Sequence, residues 1–150
     1  MTGWRLGWLV VPEVYVREVE KLAQNLFIAP STPAQYAALA AFSDETLATL
    51  EARRAEFQRR RDYLLPALRG LGFDIPLTPQ GAFYIYADCS ALAVDSQQLS
   101  RDLLEQAGVA VTPGADFGRH HPERYLRFAY TTDLARLEEG VARIRRFLAS

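Results

Sequence analysis

The sequence predicts an α/β fold, on three observations. Residues 82–87 and 125–130 are short, aromatic and apolar, and side chains on alternating sides suit them to a sheet. Other segments carry apolar residues at helical spacing, the longest at residues 44–68. Gly and Pro punctuate the two kinds of segment. A chain of 150 residues can bury one sizeable core, or one domain plus part of another.

In chain order, residues 4–11 read as an apolar strand. Alternation puts Gly3, Arg5 and Gly7 on one face and Trp4, Leu6, Trp8 and Val10 on the other. The two glycines leave open space beside the Arg5 guanidinium, whose planar fork of donors suits a phosphate or carboxylate. An edge arginine reaching solvent along its stem is the alternative. Pro12 then opens a helix carrying Val16, Val19, Leu22, Ala23 and Leu26. Residues 27–33 are a break, at the end of which Thr32 and Pro33 read as the cap and first residue of a second helix, Ala-rich through Phe42. Residues 44–68 form the third, with Leu47, Leu50, Phe57, Leu64 and Leu68 along one side and interleaved Arg and Glu read as a solvated face. Pro66 disturbs its last turns before Gly70 and Gly72 stop it.

Residues 73–77 read as a strand, Pro79-Gln80-Gly81 as a turn, and residues 82–87 as a stronger strand. Ser96 caps a helix carrying Leu99, Leu103, Leu104 and Ala107, closed by Gly108. Residues 109–112 form another strand. On the strand at 125–130, Leu126, Phe128 and Tyr130 share one face, and Tyr125, Arg127 and Ala129 the other. Arg127 can therefore clamp a carboxylate if its face looks into a cleft, or pair with a nearby acid such as Glu123. Thr132 or Asp133 starts a final helix with a stripe of Leu134, Leu137, Val141, Ile144 and Leu148.

Composition narrows the function. A formal charge of −1 and 49% hydrophobic residues do not point to nucleic acid or an anionic membrane as partner. No run reaches the ~20 apolar residues of a membrane span and no signal peptide is evident, so the expected location is cytoplasmic. Cys89, the single cysteine, has no ligand cluster around it and reads as a packed side chain. Lys21 is the only lysine, flanked by acids and solvated, a poor candidate for a Schiff base, which needs a desolvated amine. His120 and His121 are adjacent, so they face different ways and make a poor metal pair; they read as a surface loop. Pro113-Gly114-Ala115-Asp116-Phe117-Gly118 lets backbone approach a ligand without being a P-loop.

Four motifs in order, Thr2-Gly3-Trp4-Arg5-Leu6-Gly7-Trp8, Pro79-Gln80-Gly81-Ala82-Phe83-Tyr84, Pro113-Gly114-Ala115-Asp116-Phe117-Gly118 and Leu126-Arg127-Phe128-Ala129-Tyr130, resemble the class I and II aminotransferases of the pyridoxal-phosphate fold-type I superfamily. The resemblance covers essentially the whole chain. It implies that Arg5 binds the phosphate of pyridoxal 5'-phosphate and that Arg127 binds the α-carboxylate of the substrate. It implies a remnant strand and helices of the large cofactor domain at residues 1–43, an interdomain helix at 44–70, and a small C-terminal domain with a short mixed sheet and flanking helices at 71–150.

The family's Schiff-base lysine falls a few residues before the first of these motifs, so it is expected upstream of Met1. The chain then resembles the C-terminal portion of an aminotransferase, holds no catalytic residue, and is expected to be inactive alone. The full-length enzyme is expected to be a homodimer acting on an amino acid and a 2-oxo acid, with residues 25–33 near the dimer interface. Dicarboxylate-specific members carry a further arginine in the region of residues 24–35; its absence here points to a neutral or apolar amino acid. Other fold-type I chemistry, such as a lyase or decarboxylase, and the aminotransferase-like effector domain of a transcription regulator are the competing readings.

Overall fold

The computed structural model describes residues 1–149 and divides into two compact units, Met1–Ala52 and Arg53–Ser150. The first contains a 3-10 turn at Thr2–Trp4, helix α1 at Glu13–Leu26 and helix α2 at Thr32–Ala40. Residues 4–11 do not form the expected strand: Arg5 takes a left-handed conformation at φ 53°, and residues 6–12 belong to no helix or strand. The physical reason is a lack of partners. A lone strand leaves its N–H and C=O groups unsatisfied, and the sheet of this chain is drawn entirely from the second unit. Trp8, Leu9 and Val10 are correspondingly exposed, with Trp8 resting on Phe42 at 5.7 Å between ring centroids. On α1, Lys21 donates to Glu18 at 2.7 Å in an exposed pair. The cap of α2 is Ser31, one residue earlier than expected.

The boundary between the units falls within helix α3, Asp44–Arg69. Asp44 and Glu45 in its first turn and Arg69 in its last oppose the helix dipole favourably. Leu47 and Leu50 are exposed, whereas Leu64, Leu65 and Leu68 are buried.

The second unit is built on a three-stranded sheet of β1 (Tyr84–Asp88), β2 (Thr112–Pro113) and β3 (Tyr125–Ala129), in the order β1-β3-β2. Both pairings are antiparallel, where a mixed sheet was expected. Ile85 and Ala87 of β1 and Leu126 and Phe128 of β3 point to one face. That face is covered by α3, by α4 (Ser96–Ala107) through Leu99 and Leu103, and by α5 (Leu134–Leu148) through Leu137, Val141 and Ile144, forming one hydrophobic core. Fully burying a side chain such as Leu68, Leu103 or Leu126 contributes about 1.5–3 kcal/mol. The opposite face carries Tyr84, Tyr86, Tyr125 and Arg127 and is open.

Several element ends differ from expectation. Residues 73–77 make only an isolated bridge, Asp74 with Asp88, although Phe73 and Ile75 still reach the core. The strand expected from residue 82 begins at Tyr84, because Ala82 is left-handed at φ 60° and cannot continue a strand. The strand expected at 109–112 contracts to β2. Helix α4 is capped by Asp95, whose carboxylate accepts from the Gln97 N–H, while the Ser96 hydroxyl donates to the Pro122 carbonyl at 2.9 Å. Gly108 ends α4 at φ 65° as expected, and Asp133 caps α5.

Candidate functional site

A cavity of about 610 Å³ opens over the exposed sheet face, bounded by β1, β3 and the loop that follows Gly114. Arg127 lies in it for the reason its strand phase predicts: Leu126 and Phe128 take the core side and leave Arg127 on the other. The guanidinium carbon stands 4.4 Å from the Phe117 ring centroid and 5.4 Å from that of Tyr84. Two aromatic faces so close favour a planar cation and fix its orientation. Its side-chain bonding is sparse: Nη2 reaches Thr112 Oγ1 at 3.4 Å, and Nε is buried without a hydrogen-bond partner. Glu123, the expected alternative partner, instead pairs with His121 at 3.4 Å. A half-buried cation with an orphaned N–H and no carboxylate beside it is an incomplete pair, because a buried donor left unmade carries its full desolvation cost.

The rest of the wall is aromatic. Tyr86 stacks on Tyr125 with centroids 4.9 Å apart and planes 14° apart, and Phe117 meets Tyr86 edge-on. Burial, with the neighbouring Tyr125, pushes the Tyr86 phenol above its ordinary pKa, so it stays protonated near neutrality. Gly114 forms the close approach beneath: a Cβ there would collide with the Pro122 carbonyl oxygen and lie 2.9 Å from Tyr86 Oη. Arg119 and His120 also line the cavity, so the loop read from sequence as plain surface contributes to the site.

Two groups of residues around the site were not singled out by sequence. Arg60 and Arg61, read as part of a solvated face, reach inward: Arg60 donates to the Thr131 carbonyl and Arg61 to the Pro79 carbonyl, each at 2.8 Å. Long-range arginine-to-carbonyl contacts leave no trace in spacing. At the far end of the sheet, Asp88 accepts from Ser90 N–H, Ser90 Oγ and Arg124 Nη2. Burial alone would raise the Asp88 pKa, but these bonds and the Arg124 charge outweigh it and hold the carboxyl below its ordinary value.

Arg5 lies in the first unit, exposed, at the end of the 3-10 turn. Space where Cβ atoms of Gly3 and Gly7 would sit is open, with nothing within 4 Å. With no strand in this segment, the alternation that would set Gly3 and Gly7 on the same face as Arg5 is not formed. Cys89 is buried, with its thiol donating to the Arg124 carbonyl at 3.2 Å. Among the described residues no cluster suited to a metal ion occurs, and no helix is long and apolar enough to cross a membrane.

A single chain with this sheet and this arginine pocket is comparable with known enzymes over nearly its whole length. Residues 1–144 match the family of class I and II aminotransferases, and the chain belongs to that family. It is similar to a valine–pyruvate aminotransferase of Mycobacterium tuberculosis, at 39% identity over 100% of this chain and 39% of the relative. It is also similar to an aromatic-amino-acid aminotransferase of Thermococcus litoralis, at 36% identity over 99% of this chain and 38% of the relative. Among solved structures, an aminotransferase from Mycobacterium tuberculosis superposes with a TM-score of 0.89 at 40% identity, covering 99% of this chain and 38% of that one. An aromatic aminotransferase from Pyrococcus horikoshii superposes with a TM-score of 0.83 at 34% identity, covering 99% and 40%. The chain thus spans about 39% of the length of the curated relative from Mycobacterium tuberculosis.

The family is pyridoxal-phosphate-dependent. Arg5 is exposed and has no ion-pair partner among the described residues, and a guanidinium fork is a donor set chemically suited to a phosphate.

Proposed function

We propose that this chain is the C-terminal part of a pyridoxal-phosphate-dependent aminotransferase that moves an amino group between an amino acid and a 2-oxo acid. The observation that carries the reading is Arg127, lying over the rings of both Phe117 and Tyr84 with its Nε buried and unpaired. Arg127 binds the substrate carboxylate through two parallel N–H donors. An amino acid and a 2-oxo acid present the same carboxylate, so one guanidinium serves both halves of the exchange. Arg5 holds the cofactor phosphate. When bound, pyridoxal phosphate supplies the electron sink for chemistry at the substrate α-carbon.

The lysine that anchors the cofactor is not Lys21, which is exposed and paired with Glu18. It precedes the Arg5 motif in the full-length enzyme, and the chain by itself does not transaminate. Residues 1–43 belong to the cofactor domain, residues 44–70 join it to the small domain, and residues 71–150 form that small domain. The complete enzyme is a homodimer. A cavity walled by Tyr84, Tyr86, Phe117 and Tyr125 favours a neutral or apolar substrate.

The test is a titration of the 150-residue chain with 3-phenylpropionate, an aryl monocarboxylate, followed by NMR at the Arg127 Nε–H. Saturable binding that Arg127→Gln abolishes is expected. Equal binding by both proteins, or none by the parent, overturns the reading.

A further inference from the structure

We propose that Arg61 and Tyr130 are positioning residues for the carboxylate pocket: they hold the turn at residues 79–82 from two sides and so set the Tyr84 ring against the Arg127 guanidinium. The inference rests on the carboxylate reading of Arg127 and concerns how that pocket is kept in shape.

Tyr84 opens β1 opposite Ala129 and so stands diagonally across from Arg127 on the open face, and the turn that leads into the strand fixes where its first residue sits. That turn passes through Ala82 at φ 60°, a left-handed conformation that a β-carbon disfavours. Such a conformation persists only where surrounding contacts impose it. The structure supplies two. Tyr130, 2% exposed, donates its hydroxyl to the Ala82 carbonyl at 3.2 Å, and its backbone N–H donates to the Phe83 carbonyl at 2.8 Å. On the other side of the strained residue, Arg61 donates Nη1 to the Pro79 carbonyl at 2.8 Å.

The Arg61 fork is itself aimed. Its Nε and Nη2 both donate to Asp62 Oδ1, at 2.8 and 2.6 Å, which leaves Nη1 directed at Pro79. The side chain is only 18% exposed, so the contact is not a mobile surface one. Phe57, one turn earlier on α3, packs against Phe83 at 6.5 Å and against Tyr130 at 6.2 Å. Phe83 in turn meets Tyr84 edge-on at 5.6 Å. Every step from α3 to the guanidinium is therefore a direct contact within the second unit.

Binding of 3-phenylpropionate is measured for Tyr130→Phe, Arg61→Met and Arg61→Lys, with circular dichroism confirming that each is folded at the temperature used. Loss of one hydrogen bond should weaken binding about three- to ten-fold in Tyr130→Phe and in Arg61→Met, with a shifted Arg127 Nε–H resonance in the free protein. Arg61→Lys keeps one donor for the Pro79 carbonyl and should stay within about two-fold of the parent. A merely structural role would lower the melting temperature and leave affinity and resonance unmoved. Should Arg61→Met fail to fold, Tyr130→Phe decides, since it removes a single oxygen. If the folded variants bind as the parent does while Arg127→Gln does not bind, the positioning role is overturned and the carboxylate reading stands. If Arg127→Gln binds normally, both fall.

Discussion

The Arg127 guanidinium carbon lies over the Phe117 ring, 4.4 Å from its centroid, so the strand arginine is held against an aromatic face rather than fully solvated. A cation held over an aromatic ring is restricted in orientation, and its orientation determines where the donors of the fork point.

Arg127→Lys is expected to retain the charge and lose the function. A lysine ammonium is a point charge without the planar face that Arg127 sets against Tyr84 and Phe117, and it does not offer two parallel donors. Carboxylate affinity should fall by about 1.5–3 kcal/mol, measured by the same titration.

Gly114→Ala is expected to destabilise the second unit by about 1–3 kcal/mol, read from the denaturant midpoint. The new methyl meets the backbone oxygen of Pro122, which cannot rotate away as a side chain could. Gly140→Ala, where nothing lies within 4 Å, should show no such loss.

Acidification should weaken the fold through Asp88. Its folded pKa lies below the unfolded value, so its contribution is fully present above the unfolded pKa of about 3.9 and is lost as pH falls through the folded pKa. Denaturation midpoints measured from pH 6 downward should therefore drop more for the parent than for Asp88→Asn, in which nothing titrates at this position. Parallel curves would refute the assignment.

Cys89 should resist alkylation. Burial, and then the Asp88 charge, push its thiol up to about 11, so thiolate is scarce at pH 8. Reaction with iodoacetamide should be slow in the folded chain and become rapid in denaturant.

The purified chain, supplied with pyridoxal phosphate, an amino acid and a 2-oxo acid, should give no amino transfer above a protein-free control. Lys21→Arg should leave that result unchanged, because Lys21 is an exposed residue paired with Glu18. Turnover by the parent that Lys21→Arg removes would overturn the view that the anchoring lysine lies elsewhere.

Much of the second unit was legible from periodicity. The alternation at residues 125–130 correctly assigned Leu126, Phe128 and Tyr130 to the core and Arg127 to the opposite face, because a strand has only two sides. The stripe of Leu137, Val141 and Ile144 likewise identified the buried side of α5. The strand expected at residues 4–11 failed for a reason that periodicity does not contain. A strand is completed by its neighbours, and apolar alternation does not say whether a neighbour exists. The strand at 73–77 shrank to one bridge by the same logic.

The residues themselves determined the alternation, the helix phases, the scarcity of lysine and the motif order by which the family is recognised. These are properties of near neighbours along the chain, read at spacings of two or about four residues. Tertiary structure alone decided that Phe117 and Tyr84 meet across Arg127, that Arg61 reaches Pro79, and that Asp88 gathers Ser90 and Arg124. Such contacts join residues whose proximity follows from how strands and helices pack, and no local pattern encodes that distance.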